Sequence, residues 1–182
     1  MVVDRDLFQP APNNLGLPTA RAVVATQARQ MAEVARVIHQ AHARGRHVLL
    51  MSVARSGLSV EEELRGQGID TNLVRFLDAV GGQSPSGLGR FQSVPSPSHM
   101  ELFALRAEKA VRAHATPPRV VLFPFESMLD AGDMRTAEEF ARLLVARFGH
   151  DHIGLDIILT NDHPDHGAVR PVLEQTGLLH WT

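Results

Sequence analysis

The sequence predicts a three-layer, doubly wound α/β domain on a mainly parallel sheet of five or six strands. Three observations predict it. Short apolar runs alternate with stretches of helical periodicity. The runs are apolar throughout rather than at every second position, as strands covered on both faces must be. No later block of the chain is long enough for a second core, so residues 20–182 are expected to form one domain. Right-handed crossovers then place helices on both faces of the sheet.

Each element has its own signal. Residues 1–19 are rich in Pro, Asn and Gly and are expected to form an irregular arm. ARAVVAT (20–26) reads as a buried strand, and 27–45 as a helix with Met31, Val34, Ile38 and Ala41 inward and Gly45 as its stop. HVLLMSVA (47–54) is a second strand. Ser59 and Glu62 form a capping-box start for a short helix ending near Gly66 or Gly68. LVRFLDAV (73–80) is a third strand. The Gly/Ser/Pro-rich segment 81–97 reads as a long surface loop. Ser98 and Glu101 repeat the capping logic for a helix to about His114. PRVVLFPF (118–125) is a fourth strand, 134–148 a helix turning Phe140, Leu144 and Phe148 inward, and HIGLDIILT (152–160) a fifth strand. Pro171 suits only the first turn of a last helix, which makes HPDHGA loop. LLHW (178–181) completes the count, with Trp181 docking the tail or meeting another subunit.

Composition narrows the function classes. The chain has no cysteine, which excludes disulfides, thiol nucleophiles and Cys-ligated zinc. The formal net charge is −2 and the arginines are scattered, so no basic stripe indicates nucleic acid. No apolar run approaches the roughly 20 residues of a membrane span, and no apolar stretch of a secretory signal opens the sequence. A cytoplasmic location is the expectation.

Ligands of doubly wound sheets meet the carboxyl ends of the strands. That rule makes Thr26, Arg29, Arg55, Ser56, Glu126 and Asp162 the candidate pocket residues. Arg29 and Arg55 are the candidate anion holders there. Glu126 and Ser127 could supply an acid or a nucleophile, but no histidine stands beside them in the sequence. Phe123, Phe125 and Met128 read as core.

The run RGRHVLLMSVARSGLSVEEELRGQGIDTNLVRFLDAV resembles the core of KaiC-like ATPases of the RecA superfamily. In both, a helix ending in Arg-Gly leads to a strand, a polar turn, a helix, a Gly-Ile-Asp corner and a strand closing near Asp. The likeness extends over roughly residues 20–160 and implies a RecA/P-loop-like core that works beside other subunits. The catalytic parts of that family do not carry over. Its phosphate loop, G-x-x-x-x-G-K-[ST], wraps phosphates with backbone N–H groups and a lysine. The matching segment, Thr26 to Met31, has neither glycine nor lysine, and the one lysine, Lys109, lies in another helix. Ala54 and Arg55 replace the paired glutamates, and Phe123 or Pro124 replaces the magnesium-linked Asp. ATP hydrolysis is therefore not expected.

TNDHPDH (160–166) is similar to the metal motif of metallo-β-lactamase-like hydrolases, T-H-x-H-x-D-H, with His163, Asp165 and His166 matching and Asn161 in place of the first histidine. Two imidazoles and a carboxylate suit a divalent metal such as zinc. That family's downstream ligands have no counterpart, because only 16 residues follow His166. Its four-layer αββα fold, with largely antiparallel strands, does not match the alternating pattern either. His150 and His152 precede the strand and belong at its other end. A strand-exit turn stiffened by Pro164 explains the stretch without a metal. The leading expectation is thus a RecA/KaiC-like domain without catalysis or cofactor, acting as a regulatory or scaffolding protein through protein contacts or self-association. A metal-dependent hydrolase and a small-molecule sensor at the strand ends are the alternatives.

Overall fold

The computed structural model describes residues 20–80, 89–131, 134–151, 153–164, 166–175 and 179–181. The arm 1–19, residues 81–88 of the long loop, His152 and Asp165 lie outside them. Strands β1 (Ala20–Ala25), β2 (Val48–Ser52), β3 (Val74–Asp78), β4 (Phe91–Ser93), β5 (Arg119–Phe123), β6 (Leu155–Thr160) and β7 (Leu179–Trp181) form one sheet in the order β4-β3-β2-β5-β6-β1-β7. Every pairing is parallel. From β1 the chain moves toward β4; from β4 it returns toward β7. The two directions of travel put the helices on opposite faces. Helices α1 (Gln30–His42) and α2 (Gly57–Gly66) cover one face through Val34, Ile38, Val60 and Leu64. Helices α3 (Met100–Arg112), α5 (Met134–His150) and α6 (His166–Glu174) cover the other through Phe103, Phe140, Leu144, Val169 and Leu173. A one-turn helix, α4 (Ser127–Ala131), links β5 to α5. The three-layer doubly wound expectation describes this molecule.

Several boundaries differ from the sequence reading, each for a local reason. Strand β4 lies inside the segment read as loop; its three residues are too few to show a period, and Phe91 is held by stacking on Phe76 at 5.0 Å and by pairing with β3. The residues between α1 and β1 form a short 3-10 helix, Gln27–Arg29, rather than the first turn of α1. The cap of α2 is Ser56, whose hydroxyl accepts from the Ser59 N–H at 3.3 Å, so that helix starts three residues before the capping box expected at Ser59. Helix α3 starts at Met100 because the Ser98 N–H is turned to the Ser96 hydroxyl, leaving His99 as an N-cap without a side-chain bond. Helix α2 runs through Gly66, and Gly68, at φ +77°, ends its last turn in a conformation open to glycine.

Pro171 was expected in a first turn but is the sixth residue of α6, and the Gly167-Ala168 part of HPDHGA is helical rather than loop. A proline inside a helix costs about 3 kcal/mol. Val169 and Leu173, one turn apart, are both fully buried against α5, and each contributes about 1.5–3 kcal/mol. The burial outweighs the lost backbone bond. At the carboxyl end of this side of the sheet, Arg170 stacks over the Trp181 ring at 4.9 Å, so Trp181 secures β7 to α6.

Two buried polar clusters tie the elements together. Glu61 of α2, 6% exposed, accepts from Thr71 at 2.7 Å and pairs with Arg65 and Arg90. It thereby fixes the Gly-Ile-Asp corner and the approach to β4. At the amino ends of the central strands, Asp156 of β6 is fully buried between Arg21 of β1 and Arg119 of β5. Arg119 grips it with two bonds, 2.5 Å and 2.9 Å, and Arg21 through its Nε. Gly154 makes room for this: a Cβ there would stand 1.9 Å from Arg119 Nη1.

Gly57 carries a similar demand on the other side. Its N–H donates to Asp78 at 2.8 Å, and a Cβ would meet Phe76 Cβ at 2.8 Å. Gly57→Ala should cost about 1–3 kcal/mol by overpacking, read as a lower urea midpoint with an unchanged slope. An unaltered midpoint would mean that α2 can move off the sheet without loss.

Candidate functional site

The carboxyl ends of β1, β5 and β6 surround a cleft of about 270 Å³. The site arises where the chain's directions diverge, since β1 leads to α1 on one face and β6 to α6 on the other. Crevices at such points are the common ligand sites of open α/β sheets. Three segments converge there. The turn after β5 supplies Glu126 and Ser127, the end of β6 supplies Thr160, Asp162 and His163, and the start of α1 supplies Gln30.

Glu126 is the buried centre, only 1% exposed. One carboxyl oxygen accepts the Thr160 backbone N–H, across 34 residues of sequence. The Thr160 hydroxyl in turn accepts from the Gln30 side-chain amide. Burial pushes the Glu126 carboxyl up to about 7, against the opposing pull of its own backbone N–H and that of Thr160. A carboxyl titrating near neutrality can take or give a proton under working conditions. At the rim, the Gln27 N–H donates to Asp162 at 3.0 Å, which ties the β6 turn to the β1 turn. His163 is 3.7 Å from Asp130 of α4. Asp130 is largely exposed, so that contact is worth little even when the imidazole is charged.

The structure gathers only part of the residue set read from the sequence. Glu126 and Asp162 line the cleft. The carbonyl of Thr26 accepts from the N–H groups of Arg29 and Gln30 at 2.8 and 3.0 Å, closing the turn. Arg29 is exposed beside it. Arg55 turns away to Glu63 at 2.6 Å, and Ser56 caps α2. The pair Arg29 and Arg55 is thus not brought to one point, because α1 and α2 leave β1 and β2 on strands separated by β5 and β6. Phe123, Phe125 and Met128 are core, none more than 1% exposed. Gln30 and Thr160 were missed as pocket residues. The histidine that Glu126 and Ser127 lack in sequence is present in space as His163, which faces the same cleft.

Of the metal triad, His163 lies at the cleft, whereas Asp165 and the His166 side chain are outside the described residues. Among the described residues no group of three or more His, Asp or Glu side chains is placed to hold a metal ion. No described helix is long and apolar enough to cross a membrane.

The lining residues of the cleft include two acids, Glu126 and Asp162, and neither an arginine nor a lysine. No protein-family model matches this chain, and no curated protein matches it.

Proposed function

We propose that this chain is a RecA/KaiC-like domain without nucleotide chemistry, acting as a regulatory or scaffolding protein through contacts with another protein or with copies of itself. One observation carries the reading. At the β1–α1 turn, where a phosphate loop presents backbone N–H groups to an anion, the Gln27 N–H is taken by the chain's own Asp162 carboxylate. The Arg29 and Gln30 N–H groups are spent on the Thr26 carbonyl. The turn that would cradle phosphate is filled from within by a carboxylate. A fold of this type without its catalytic groups retains its surface, and a surface serves recognition.

Calorimetric titration with Mg-ATP checks the first half of the proposal. No saturable heat is expected at millimolar nucleotide, and no turnover above the buffer blank. Sedimentation velocity checks the second half, with self-association expected at micromolar protein, or a defined complex recovered from lysate. Mg-ATP turnover that is lost on Gln30→Ala would overturn the reading, as would a strictly monomeric protein with no partner.

A second reading rests on Glu126. A buried carboxyl titrating near 7 in a polar cleft suits a small neutral or cationic molecule that donates hydrogen bonds, sensed without catalysis. Thermal stabilisation by such a compound, absent in Glu126→Gln, would favour it.

A further inference from the structure

Histidines gather at the amino end of β2, away from the strand-end cleft. His42 closes α1 on one face of the sheet, His114 follows α3 on the other, and His47 directly precedes β2 between them. The His47 and His114 rings lie 4.4 Å apart, centroid to centroid, tilted by 36°. His42 carries a buried Nε2 that takes part in no hydrogen bond. The charge of His47 bears on His42 as well as on His114, so the three form one electrostatic group.

We propose that His42, His47 and His114 form an acid-sensitive latch around the amino end of β2. It holds the last turns of α1 and α3 to the sheet at neutral pH and loosens them on acidification. The device is independent of the contact role proposed above and stands or falls without it.

The backbone fixes the middle of the latch. The His47 carbonyl accepts the Arg119 N–H at 2.8 Å, which ties it to β5. The His42 carbonyl accepts the Gly45 N–H at 2.9 Å, and Gly45, at φ +65°, turns the chain from α1 back toward β2. The rings can therefore separate by side-chain rotation or by release of a helix end. Helix ends open more readily than central strands.

The charges facing the group do little to neutralise it. His42 faces Asp70, from the turn before β3, and His39 of its own helix. Asp70 is exposed, and its carboxylate already accepts the Asn72 N–H at 2.9 Å. His114 faces Arg75 of β3 besides His47. On the turn between His42 and His47, Arg44 bonds the Gln40 carbonyl, and Arg44 and Arg46 line the cleft beside Arg21. One exposed carboxylate thus stands against several imidazoles and a guanidinium.

Protonation accordingly works against the packed state. Burial lowers His42 and His114 below the ordinary 6.5; Asp70 opposes it at His42, while the neighbouring histidines, and Arg75 at His114, add to it. Each group's contribution to folding is complete above about pH 6.5 and lost as pH falls through its lower folded value. Acid then sets like charges at ring-contact distance, the change by which histidine clusters flip packed contacts.

The test is amide hydrogen exchange on the full chain at pH 7.5 and 5.5, corrected for the intrinsic effect of pH on exchange. Protection over residues 39–47 and 110–116 is expected to fall at least about fivefold more than over 134–148. His47→Phe keeps a ring against His114 but cannot charge, and it should remove most of that difference. Ring-proton NMR follows the histidines directly, and His114 is expected to titrate higher in His47→Phe than in the natural chain. If His47→Phe folds poorly, His114→Phe replaces it, expected to lose the acid response at 110–116 and keep it at 39–47. Acid-induced loss spread evenly over the chain, a response unchanged in the variant, or a His114 titration indifferent to His47 overturns the proposal.

Discussion

Asp156→Asn should remove about 3–5 kcal/mol of folding stability, the largest effect expected of any single substitution in this chain. The carboxylate is fully buried and answers two guanidiniums from the two flanking strands. An amide keeps the shape and one acceptor but not the charge, so Arg21 and Arg119 would face each other across β6 without the carboxylate that both of them bond. A domain of this kind has about 5–15 kcal/mol in total, so the loss is about a fifth of it or more. The cluster's own net worth is a separate quantity. Replacing all three residues together, as Arg21→Met/Asp156→Leu/Arg119→Met, removes the charges of this cluster at once and should cost far less than Asp156→Asn alone. Guanidinium chloride is unsuitable as the denaturant because it mimics the arginines and screens the charges. Urea midpoints at constant slope read both variants. A loss below about 1 kcal/mol for Asp156→Asn would mean that water reaches the guanidiniums.

How much of this was legible in the sequence depends on the range of the interaction. Strands β1, β2, β3, β5 and β6 were readable because burial on both faces makes each an apolar run. Strand β4 was not, since Phe91-Gln92-Ser93 carries no period and owes its place to Phe76 of β3, from elsewhere in the chain. The Asp156 cluster left a trace that went unread. Each of three apolar runs holds one charge near its start, at Arg21, Arg119 and Asp156, and a charge inside a strand covered on both faces needs a partner on a neighbouring strand. Strand order supplies the partner, and strand order is what no local pattern encodes. The candidate site shows the same limit. The rule that ligands meet strand ends located the region, and Glu126 and Asp162 were found by it. The link from Gln30 to Thr160 spans 130 residues and exists because β1 and β6 are neighbours.

Glu126→Gln should leave stability nearly unchanged at pH 4 and raise it by about 3 kcal/mol at pH 8, relative to the natural chain. The folded carboxyl titrates at about 7, and in the unfolded chain it returns to the ordinary value of 4.5. Between those values the folded state holds a proton that the unfolded state has released, so stability falls as pH rises. The contribution is complete below about pH 4.5 and lost once pH has passed through about 7. Each pH unit in that window costs about 1.4 kcal/mol. Glutamine is neutral throughout and can still accept the Thr160 N–H, so it escapes the loss. Two half-buried histidines act in the other direction: partial burial lowers both His42 and His114, which favours folding as pH rises toward 6.5. The variant carries them unchanged, and the difference between the two proteins isolates Glu126. Urea unfolding at half-unit steps from pH 4 to 8 measures it. A difference that grows through the window makes Glu126 a proton-exchanging group at the centre of the strand-end cleft, able to couple the pH to the Thr160–Gln30 contact that joins β6 to α1. A flat difference means that the carboxyl is solvated or ionised from the start, and it removes the physical basis for sensing at that cleft while leaving the filled β1–α1 turn, and the contact role argued from it, intact.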